Sequence, residues 1–425
     1  MMNRSDPNFS RHPIFSRVTA RGAGGIATLL LDGDETLLRF EPCFAPPRTF
    51  KLSDGELQYG RVVDSAGRTA DEVVVATLAP KKSPTGNLQL ELSCHGGEGS
   101  IAAVEAVLRD AGFVAARWTE LLERSHLNGK LSLFALEARL ALAAATTARQ
   151  ASFLLGASAF QEKWERLGFE MALGLREKRI DWREKIVAAA DAALAGAAPA
   201  QALLRQHTLA LVGPVNAGKS TLANLLARAE RHIVSAEPGT TRDKLDTPLD
   251  IRGLNVLLSD TAGLRESSDA IEQEGQRRAR DAAQSADLRI VVLDGSRTPG
   301  DAEMELLKTV SAQGQLILVL NKKDLGVDET AMGLGFTLGS EPCVISAQSG
   351  DGLKELEEQL ETRLLGATPP TSDAPFTPRQ TARLERLRAG LLESEHGMDM
   401  IVHLRKLIGS RPDAEELEEA LKVRR

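Results

Sequence analysis

The chain is poor in cysteine: only Cys43, Cys94 and Cys343 occur in 425 residues. Their spacing does not match a disulfide framework, which excludes a small disulfide-stabilised scaffold and indicates a reducing compartment. The sequence also lacks an apolar run of the length that crosses a bilayer, and its start, MMNRSDPNFSRHPIFSR, has no continuous apolar stretch of the signal-peptide kind. These absences predict a cytoplasmic protein that does not cross a membrane.

A strong positive charge is absent as well, since the formal net charge is −7. Any contact with nucleic acid must therefore come from a local patch. Apolar residues make up 42% and charged residues 26% of the chain, which are values of a globular protein and exclude a disordered one. A length of 425 residues exceeds one ordinary hydrophobic core, so two or three domains are expected.

Hydrophobic periodicity changes along the chain and predicts a multidomain α/β protein. The segments GGIATLLLDG, DEVVVATLAP and NLQLELSCHGG read as strands, and EGSIAAVEAVLRDAG reads as a helix that stops near Gly112. They predict an α+β domain over 1–130. The Ala- and Leu-rich segments that follow predict a helical domain over 131–205.

Short apolar strands then alternate with helical patterns from His207 to about Leu365: TLALV, LNVLLSD, LRIVVLDG, QLILVLNK and PCVISA. This rhythm predicts a mostly parallel sheet with helices on both faces over 206–367, with KLDTPLDIRG as an antiparallel edge strand. The segment GATPPTSDAPFTP (366–378) reads as a linker, and 379–425 returns to charged helical patterns, which predicts a second part of the helical domain over 368–425. The helical domain is therefore split around an inserted α/β domain.

The segment LALVGPVNAGKSTLANLL carries Gly213-x-x-x-x-Gly218-Lys219-Ser220 between a strand and a helix, which is the context of a phosphate-binding P-loop. Its backbone N–H groups can surround a phosphate, Lys219 can reach the β and γ oxygens, and Ser220 can bind Mg²⁺. A glycine-rich turn with a surface lysine would give the same letters, so further motifs must decide.

Four further motifs follow in order at predicted strand ends or between them. They are Gly239-Thr240-Thr241-Arg242-Asp243, Asp260-Thr261-Ala262-Gly263, Asn321-Lys322-Lys323-Asp324 and Ser346-Ala347. Thr241 can complete the Mg²⁺ shell, and Gly263 can donate its N–H to the γ-phosphate. A carboxylate at Asp324 can accept both the N1–H and the N2 amino hydrogens of guanine, which adenine does not offer. The set predicts a guanine-nucleotide switch domain at the edge of a parallel sheet.

The predicted GTP-binding residues share positions in or beside these motifs: Asn216, Ala217, Gly218, Lys219, Ser220, Thr221, Thr240, Thr241, Asp260, Gly263, Asn321, Lys322, Asp324, Ser346 and Ala347. The residue after Gly263 is Leu264, whereas Ras-like proteins carry there the glutamine that orients the attacking water. Another polar group must act. Arg265, Glu266, Asp269 and Glu272 are candidates, and each alone could equally be a solvated loop residue.

The whole pattern resembles the tRNA-modifying GTPase family often called TrmE or MnmE. The segments that carry the resemblance are GPVNAGKST, GTTRD, DTAGLRE, NKKD, SPTGNLQLELSCHGG and ERSHLNGKLSLFALEA. The resemblance implies a folate-binding-like N-terminal domain, a split helical domain and an inserted G domain. It also implies a homodimer that forms through the N-terminal domain, a tRNA substrate and a flavin-dependent partner protein.

The resemblance assigns cation ligands and a catalyst. It implies that Asn216 donates its side-chain oxygen to a K⁺ ion beside the phosphates, with Ser235, Glu237 and Thr240 as further ligands, while Ser220 and Thr241 bind Mg²⁺. The water-orienting glutamate of the family matches Glu272, so the catalytic set is Glu272, Lys219 and Thr241.

Three departures from the family pattern affect these expectations. Val215 stands where the family has proline before the asparagine. Glu91 and Lys130 match residues that bind formyl-tetrahydrofolate in the family, but the arginine of that site falls on Leu30, and the family's C-terminal Cys-x-Gly-Lys has no counterpart in EEALKVRR. Folate binding is therefore doubtful. A divergent paralogue that keeps the GTP switch as an assembly or regulatory module, for example in ribosome maturation, is the alternative to a tRNA-modifying enzyme.

Overall fold

The structure is a computed structural model that describes residues 9–22, 24–47, 55–177, 181–229, 246–259, 285–312, 314–339, 341–393 and 397–408. The chain divides into two compact units. The first comprises Met1–Leu140 with Glu395–Arg425, and the second comprises Ala141–Ser394. The sequence predicted other boundaries, with the helical and G domains as separate bodies, and that finer division stays a prediction.

The first unit is built on a seven-stranded sheet with the strand order β3-β4-β5-β6-β2-β1-β7. All neighbours are antiparallel except β1 and β7. The strands are β1 (Ile14–Arg17), β2 (Ile26–Asp32), β3 (Phe44–Ala45), β4 (Leu57–Val63), β5 (Thr69–Leu78), β6 (Gln89–His95) and β7 (Val114–Ala115). The helices, of which α4 ends beyond the unit's boundary, are α1 (Thr36–Phe40), α2 (Glu98–Asp110), α3 (Trp118–Leu127), α4 (Leu133–Ala144) and α14 (Gly397–Ile408).

One face of this sheet forms the core of the unit. Alternate residues such as Leu29, Leu90 and Val75 are fully buried and belong to one cluster with residues of α2, including Val104 and Leu108. The residues between them point to the other face, where Glu91 and Val74 are exposed. A sheet covered on one side produces the period-two alternation that the sequence shows.

The sequence prediction of β2, β5, β6 and α2 is confirmed, but it missed the short elements and β4. The reason in β4 is Gly60, which interrupts the strand pattern of LQYGRVV. A side chain there would place its Cβ 2.5 Å from the ring of Phe44 on the neighbouring strand. Close packing therefore requires a residue that sequence patterns associate with turns.

A buried polar network ties β2 to α3 and to the turn at 83–87. Asp32 and Arg124 are both fully buried, and Arg124 Nη1 donates to Asp32 Oδ2 over 2.9 Å. Thr85 and Asn87 donate to the same carboxylate. Burial lowers the pKa of Arg124, and the Asp32 carboxylate opposes that shift. Removing one partner of such a buried pair would leave an uncompensated charge, so the network fixes the turn.

The second unit contains a helical part and an α/β part. The helical part comprises α5 (Ala148–Gly156), α6 (Ser158–Arg176), α7 (Asp181–Ala195), α8 (Ala197–Leu204) and α13 (Pro378–Leu392). Trp164 on α6 is fully buried, and α13 packs along α7. The helices α5 to α8 lie in the segment 131–205, where alanine and leucine recur at helical spacing, and the extent of a helical domain stays a prediction.

One stretch corrects the expectation that no apolar run could span a bilayer. In the part of the chain that the structure describes, Asp181–Leu204 is long and apolar enough, with a mean hydropathy of 1.4. Of the 18-residue window that reaches this hydropathy, 44% is buried inside the protein, and Trp182, Ile186 and Ala190 lie in the core. Alanine-rich core helices pass such a test by composition alone, so the stretch is weak support for a membrane span.

The α/β part has a six-stranded sheet with the order β13-β12-β11-β8-β10-β9, parallel except at β9. Its strands are β8 (His207–Val212), β9 (Asp246–Ile251), β10 (Leu254–Ser259), β11 (Leu288–Asp294), β12 (Leu316–Asn321) and β13 (Cys343–Val344). Its helices are α9 (Lys219–Ala229), α10 (Asp301–Ser311), α11 (Glu329–Leu338) and α12 (Leu353–Leu365). The predicted mostly parallel sheet with one antiparallel edge strand is confirmed.

The central strands of this sheet are buried on both faces. Consecutive residues Ile290, Val291 and Val292 of β11 are fully buried, as expected of a parallel strand covered on both sides. Parallel strands place their carboxyl ends at one edge. The loops after β8, β11, β12 and β13 therefore meet there.

The turn between β9 and β10 is held by α5 and α12. Arg149 Nη1 donates to the carbonyl of Arg252 over 2.9 Å and to Glu361 over 2.6 Å, and Thr147 Oγ1 donates to the carbonyl of Gly253 over 2.7 Å. A Cβ on Gly253 would lie 2.4 Å from Cβ of Arg149. The helical part and the α/β part of this unit are thus joined at a turn that only glycine fits.

The predicted linker 366–378 is more ordered than its composition indicated. Ala374 and Phe376 are buried, and the Phe376 ring packs edge-on against Phe153 at 6.4 Å between centroids. Lys163 pairs with Asp373 over 2.8 Å, and Pro378 already begins α13, where proline is well tolerated. The segment is therefore a packed connection, held by the buried side chains of Ala374 and Phe376.

Candidate functional site

The phosphate-binding loop follows β8 and leads into α9. Gly213 and Gly218 are required by close neighbours: a Cβ on Gly213 would lie 2.2 Å from the carbonyl oxygen of Val292, and one on Gly218 would lie 2.1 Å from Nδ2 of Asn321. Gly218 also has φ +95°. The two glycines therefore let the loop approach β11 and the end of β12, and the N-terminus of α9 opens at the carboxyl edge of the sheet.

Lys219 and Asn216 occupy different positions on this loop. Lys219 Nζ donates to the carbonyl oxygens of Gly213 and Pro214, each over 2.8 Å, so its ammonium lies across the loop. Asn216 is exposed and has φ +64°, a left-handed conformation that asparagine tolerates better than most residues. Ser220 is exposed at the start of α9. Ammonium, amide oxygen and hydroxyl are thus presented on one short loop.

Asn321 connects the P-loop to the loop that follows β13. It is buried, its Nδ2 donates to the carbonyl of Ala217 over 2.8 Å, and its Oδ1 accepts from the backbone N–H of Ala347 over 2.9 Å. One amide thereby satisfies a buried acceptor and a buried donor on two loops that are 104 and 26 residues distant in sequence. The predicted residues of three motifs are brought together by this side chain.

Asp324 is exposed at the same edge, and Ser346 fixes its orientation. Ser346 Oγ donates to Asp324 Oδ1 over 2.6 Å, while the backbone N–H of Ser346 donates to the carbonyl of Asp351. The carboxylate is therefore aimed from a short 3-10 helix, Lys323–Leu325, by a buried hydroxyl. An oriented carboxylate that faces outward can accept two hydrogen bonds from a flat ligand edge.

Sequence reasoning missed Asp294 in this group. Its side chain accepts from Lys322 Nζ over 2.7 Å. Burial alone would raise the pKa of Asp294, but hydrogen bonds from Lys322 and Ser296 hold that pKa below its ordinary value. The segment VVLDGS ends a strand with an aspartate, which places a carboxylate at this edge of the sheet but does not identify its partner.

Several predicted residues lie outside the described residues. They lie within 230–245 and 260–284: Ser235, Glu237, Thr240, Thr241, Asp260, Gly263 and Glu272. The structure therefore brings together Asn216, Ala217, Gly218, Lys219, Ser220 and Thr221 with Asn321, Lys322, Asp324, Ser346 and Ala347. The cation-binding and water-orienting roles stay predictions.

Comparisons with known proteins match both units. Residues 208–322 match the family model described as 50S ribosome-binding GTPase, and residues 13–130 match the one described as GTP-binding protein TrmE N-terminus. A protein described as tRNA modification GTPase MnmE from Paramagnetospirillum magneticum is 32% identical, with 95% of this chain and 96% of that protein covered. Proteins of the same description from Synechococcus sp. and Protochlamydia amoebophila are 36% and 30% identical and cover 72% and 86% of this chain, and 72% and 83% of those proteins.

The chain belongs to the tRNA modification GTPase family. Its α/β part is the GTP-binding domain of this family, and the protein is a GTPase. Among solved structures, the G domain of the T. maritima FeoB iron transporter is 27% identical, covers 37% of this chain and 99% of that one, and has a TM-score of 0.29. The alternative of a repurposed assembly module is not favoured, because relatives of the tRNA modification GTPase family match nearly the whole chain.

The first unit of this tRNA modification GTPase carries the residues predicted for folate. Glu91 is exposed on the open face of the sheet and lies directly opposite Leu30 in the β2–β6 register. Lys130 is exposed, and its side chain lies over Gly86, where a Cβ would come within 3.1 Å of Lys130 Cε. The network around Asp32 fixes the turn beneath it. An exposed carboxylate at Glu91 could accept from the donors of a pterin ring and an exposed ammonium at Lys130 could meet a carboxylate, whereas Leu30 at the arginine position offers neither charge nor donor.

Proposed function

We propose that this chain is a Mg²⁺-dependent and K⁺-stimulated GTPase that acts in the modification of wobble uridines in tRNA. The observation that supports it most is the presence of both family segments, 13–130 and 208–322, in one chain. The name of its relatives refers to tRNA modification, and those relatives cover up to 95% of the chain. A G domain alone would support only nucleotide hydrolysis. The match of the N-terminal segment is therefore what supports tRNA as the substrate.

The experiment that tests the substrate is a nucleoside analysis of tRNA. Deleting the gene for this chain from the organism that carries it should lower the modified wobble uridines in bulk tRNA, measured by mass spectrometry. Returning the wild-type chain should restore them, whereas a Lys219→Ala chain should not, because Lys219 is the charged contact to the phosphates. An unchanged nucleoside profile in the deletion strain would reject the proposed substrate.

The described part of the loop suits hard cations. Ser220 and Asn216 offer oxygen ligands at an exposed helix N-terminus, and oxygen is the ligand type that Mg²⁺ and similar cations prefer. We assign Mg²⁺ to Ser220 with Thr241, and K⁺ to Asn216 with Ser235, Glu237 and Thr240. When bound, the cations supply positive charge that offsets the charge developing on the phosphates. Lys219 binds the phosphate oxygens. Glu272 accepts a hydrogen bond from the attacking water and thereby orients it.

Two variants separate the roles of the cation ligand and of the water-orienting residue. GTP hydrolysis by the wild-type protein should be faster in KCl than in NaCl at equal ionic strength, and Asn216→Ala should bind GTP but lose this difference. Glu272→Ala should lower kcat in both salts with nucleotide affinity nearly unchanged, because an interaction made only in the transition state affects rate and not binding.

Both variants and the wild-type protein are purified free of tRNA and are measured under the same conditions. Equal wild-type rates in the two salts would contradict the K⁺ site without affecting GTP binding. A wild-type kcat for Glu272→Ala would make Glu272 a solvated loop residue.

A further inference from the structure

The base-recognition segment 321–324 is held by partners from different loops. Asn321 is fixed by Ala217 and Ala347, and Asp324 is fixed by Ser346. Between them lie two lysines whose ammonium groups have different surroundings. Lys322 pairs with Asp294 at the edge of the sheet, while Lys323 pairs with Asp351 over 2.9 Å, with 43% and 60% of those two side chains exposed.

Hydrogen bonds from Ser296 orient the Asp294 carboxylate toward the ammonium group of Lys322. Its Oδ1 accepts from both the backbone N–H and the hydroxyl of Ser296, over 3.1 and 2.7 Å. Its Oδ2 is then directed at Lys322 Nζ over 2.7 Å, and only 13% of the Asp294 side chain is exposed. A carboxylate whose orientation is fixed beforehand loses little entropy when it binds its partner.

Strand register sets the position of this pair. Asp294 is the partner of Asn321 in the parallel β11–β12 pairing, and the backbone N–H of Gly295 donates to the carbonyl of Asn321 over 2.8 Å. Lys322 follows with φ +68°, a conformation that few non-glycine residues adopt. The backbone therefore turns sharply at Lys322, and the ion pair determines where its long side chain lies.

We infer that Asp294 is a positioning residue for guanine-nucleotide binding, which acts by holding the Lys322 side chain at the base site. The inference rests on the guanine specificity proposed for Asp324. The four-carbon stem of lysine is flexible and strongly hydrated at its end, so without a fixed partner the ammonium moves into water. In this proposal the stem, held beside Asn321, packs against the bound nucleotide, and loss of the ion pair removes that contact. Binding of GDP and of GTP should depend on the Asp294–Lys322 pair to the same extent, because the pair acts at the base, which the two nucleotides share.

The test measures the dissociation rate of a fluorescent GDP analogue from the full chain. Asp294→Ala should release it about tenfold faster, which corresponds to about 1.4 kcal/mol. Asp294→Asn keeps the shape and one acceptor, so it should lie between the wild type and Asp294→Ala. Asp351→Ala is the matched control, because it removes an equal charge from the neighbouring lysine of the same segment, and it should leave the rate unchanged.

Lys322→Ala shows whether Asp294 acts through this lysine. Lys322→Ala alone should also accelerate release, and adding Asp294→Ala or Asp294→Asn to it should have no further effect. If Asp294→Ala fails to fold, Asp294→Asn, alone and combined with Lys322→Ala, provides the same comparison. A wild-type rate for both Asp294 variants, or an equal acceleration in the Lys322→Ala background, would overturn the inference. A wild-type protein that does not prefer guanine nucleotides would instead overturn the specificity of Asp324.

Discussion

Asp324→Asn is expected to change the nucleotide preference of this GTPase from guanine to xanthine. The carboxylate accepts from two guanine donors, N1–H and the N2 amino group, and an amide cannot accept both. A hydrogen bond to a charged group is worth about 1.5–3 kcal/mol, so loss of one of the two should lower GDP affinity by roughly one to two orders of magnitude. Xanthine has a carbonyl at position 2, to which the amide can donate, and it should recover most of the binding.

Direct titration with GDP, ADP and XDP measures this change. The wild-type protein should prefer GDP strongly over ADP, and Asp351→Asn, which changes an exposed aspartate on the neighbouring loop, should keep that preference. Ser346→Ala should weaken GDP binding by a smaller factor, because Ser346 only orients Asp324 over 2.6 Å. Equal wild-type affinity for GDP and ADP would rule out guanine recognition by Asp324.

The meeting of the P-loop with segments 321–324 and 346–347 at one edge of the sheet could be predicted from sequence, because these motifs are short, contiguous and placed at strand ends. Lys219, Asn321 and Ala347 all lie where the motifs put them, and the parallel sheet brings them to one edge. Asp294 could not be found in the same way. Its role depends on the register in which β11 pairs with β12, and no local pattern around VVLDGS states which residue that carboxylate will face.

The same limit applies to the N-terminal unit. Asp32 and Arg124 are 92 residues apart, and their pairing follows from how α3 packs on the end of β2. The strand β4 was missed because Gly60 serves close packing on Phe44, which a pattern of turn-forming residues obscures. Periodicity therefore predicted the long elements with one buried face, and tertiary contacts decided the rest.

The register of β2 and β6 leads to the second prediction, on folate. Leu30 and Glu91 are direct neighbours on the open face, so the residue at position 30 borders any ligand that Glu91 contacts. Leu30 is half-buried and apolar, and it cannot pair with the carboxylates of formyl-tetrahydrofolate. We therefore expect the wild-type protein to bind this ligand weakly or not at all. Leu30→Arg, which introduces the family's arginine, should raise the affinity by roughly ten- to hundredfold, since one charged hydrogen bond contributes about 1.5–3 kcal/mol.

Isothermal titration of formyl-tetrahydrofolate into the intact protein decides the point, and Thr28→Arg is the matched control. Thr28 lies on the same strand and face, two residues away and opposite Ser93, so it adds the same charge one pair further along the sheet. A gain with Leu30→Arg that is lost again when Lys130→Ala is added would place the ligand between these groups. An equal gain from Thr28→Arg would mean only nonspecific attraction of an anion. Tight binding by the wild-type protein would show that other residues replace the arginine, because Leu30 offers no hydrogen-bond donor at its side chain.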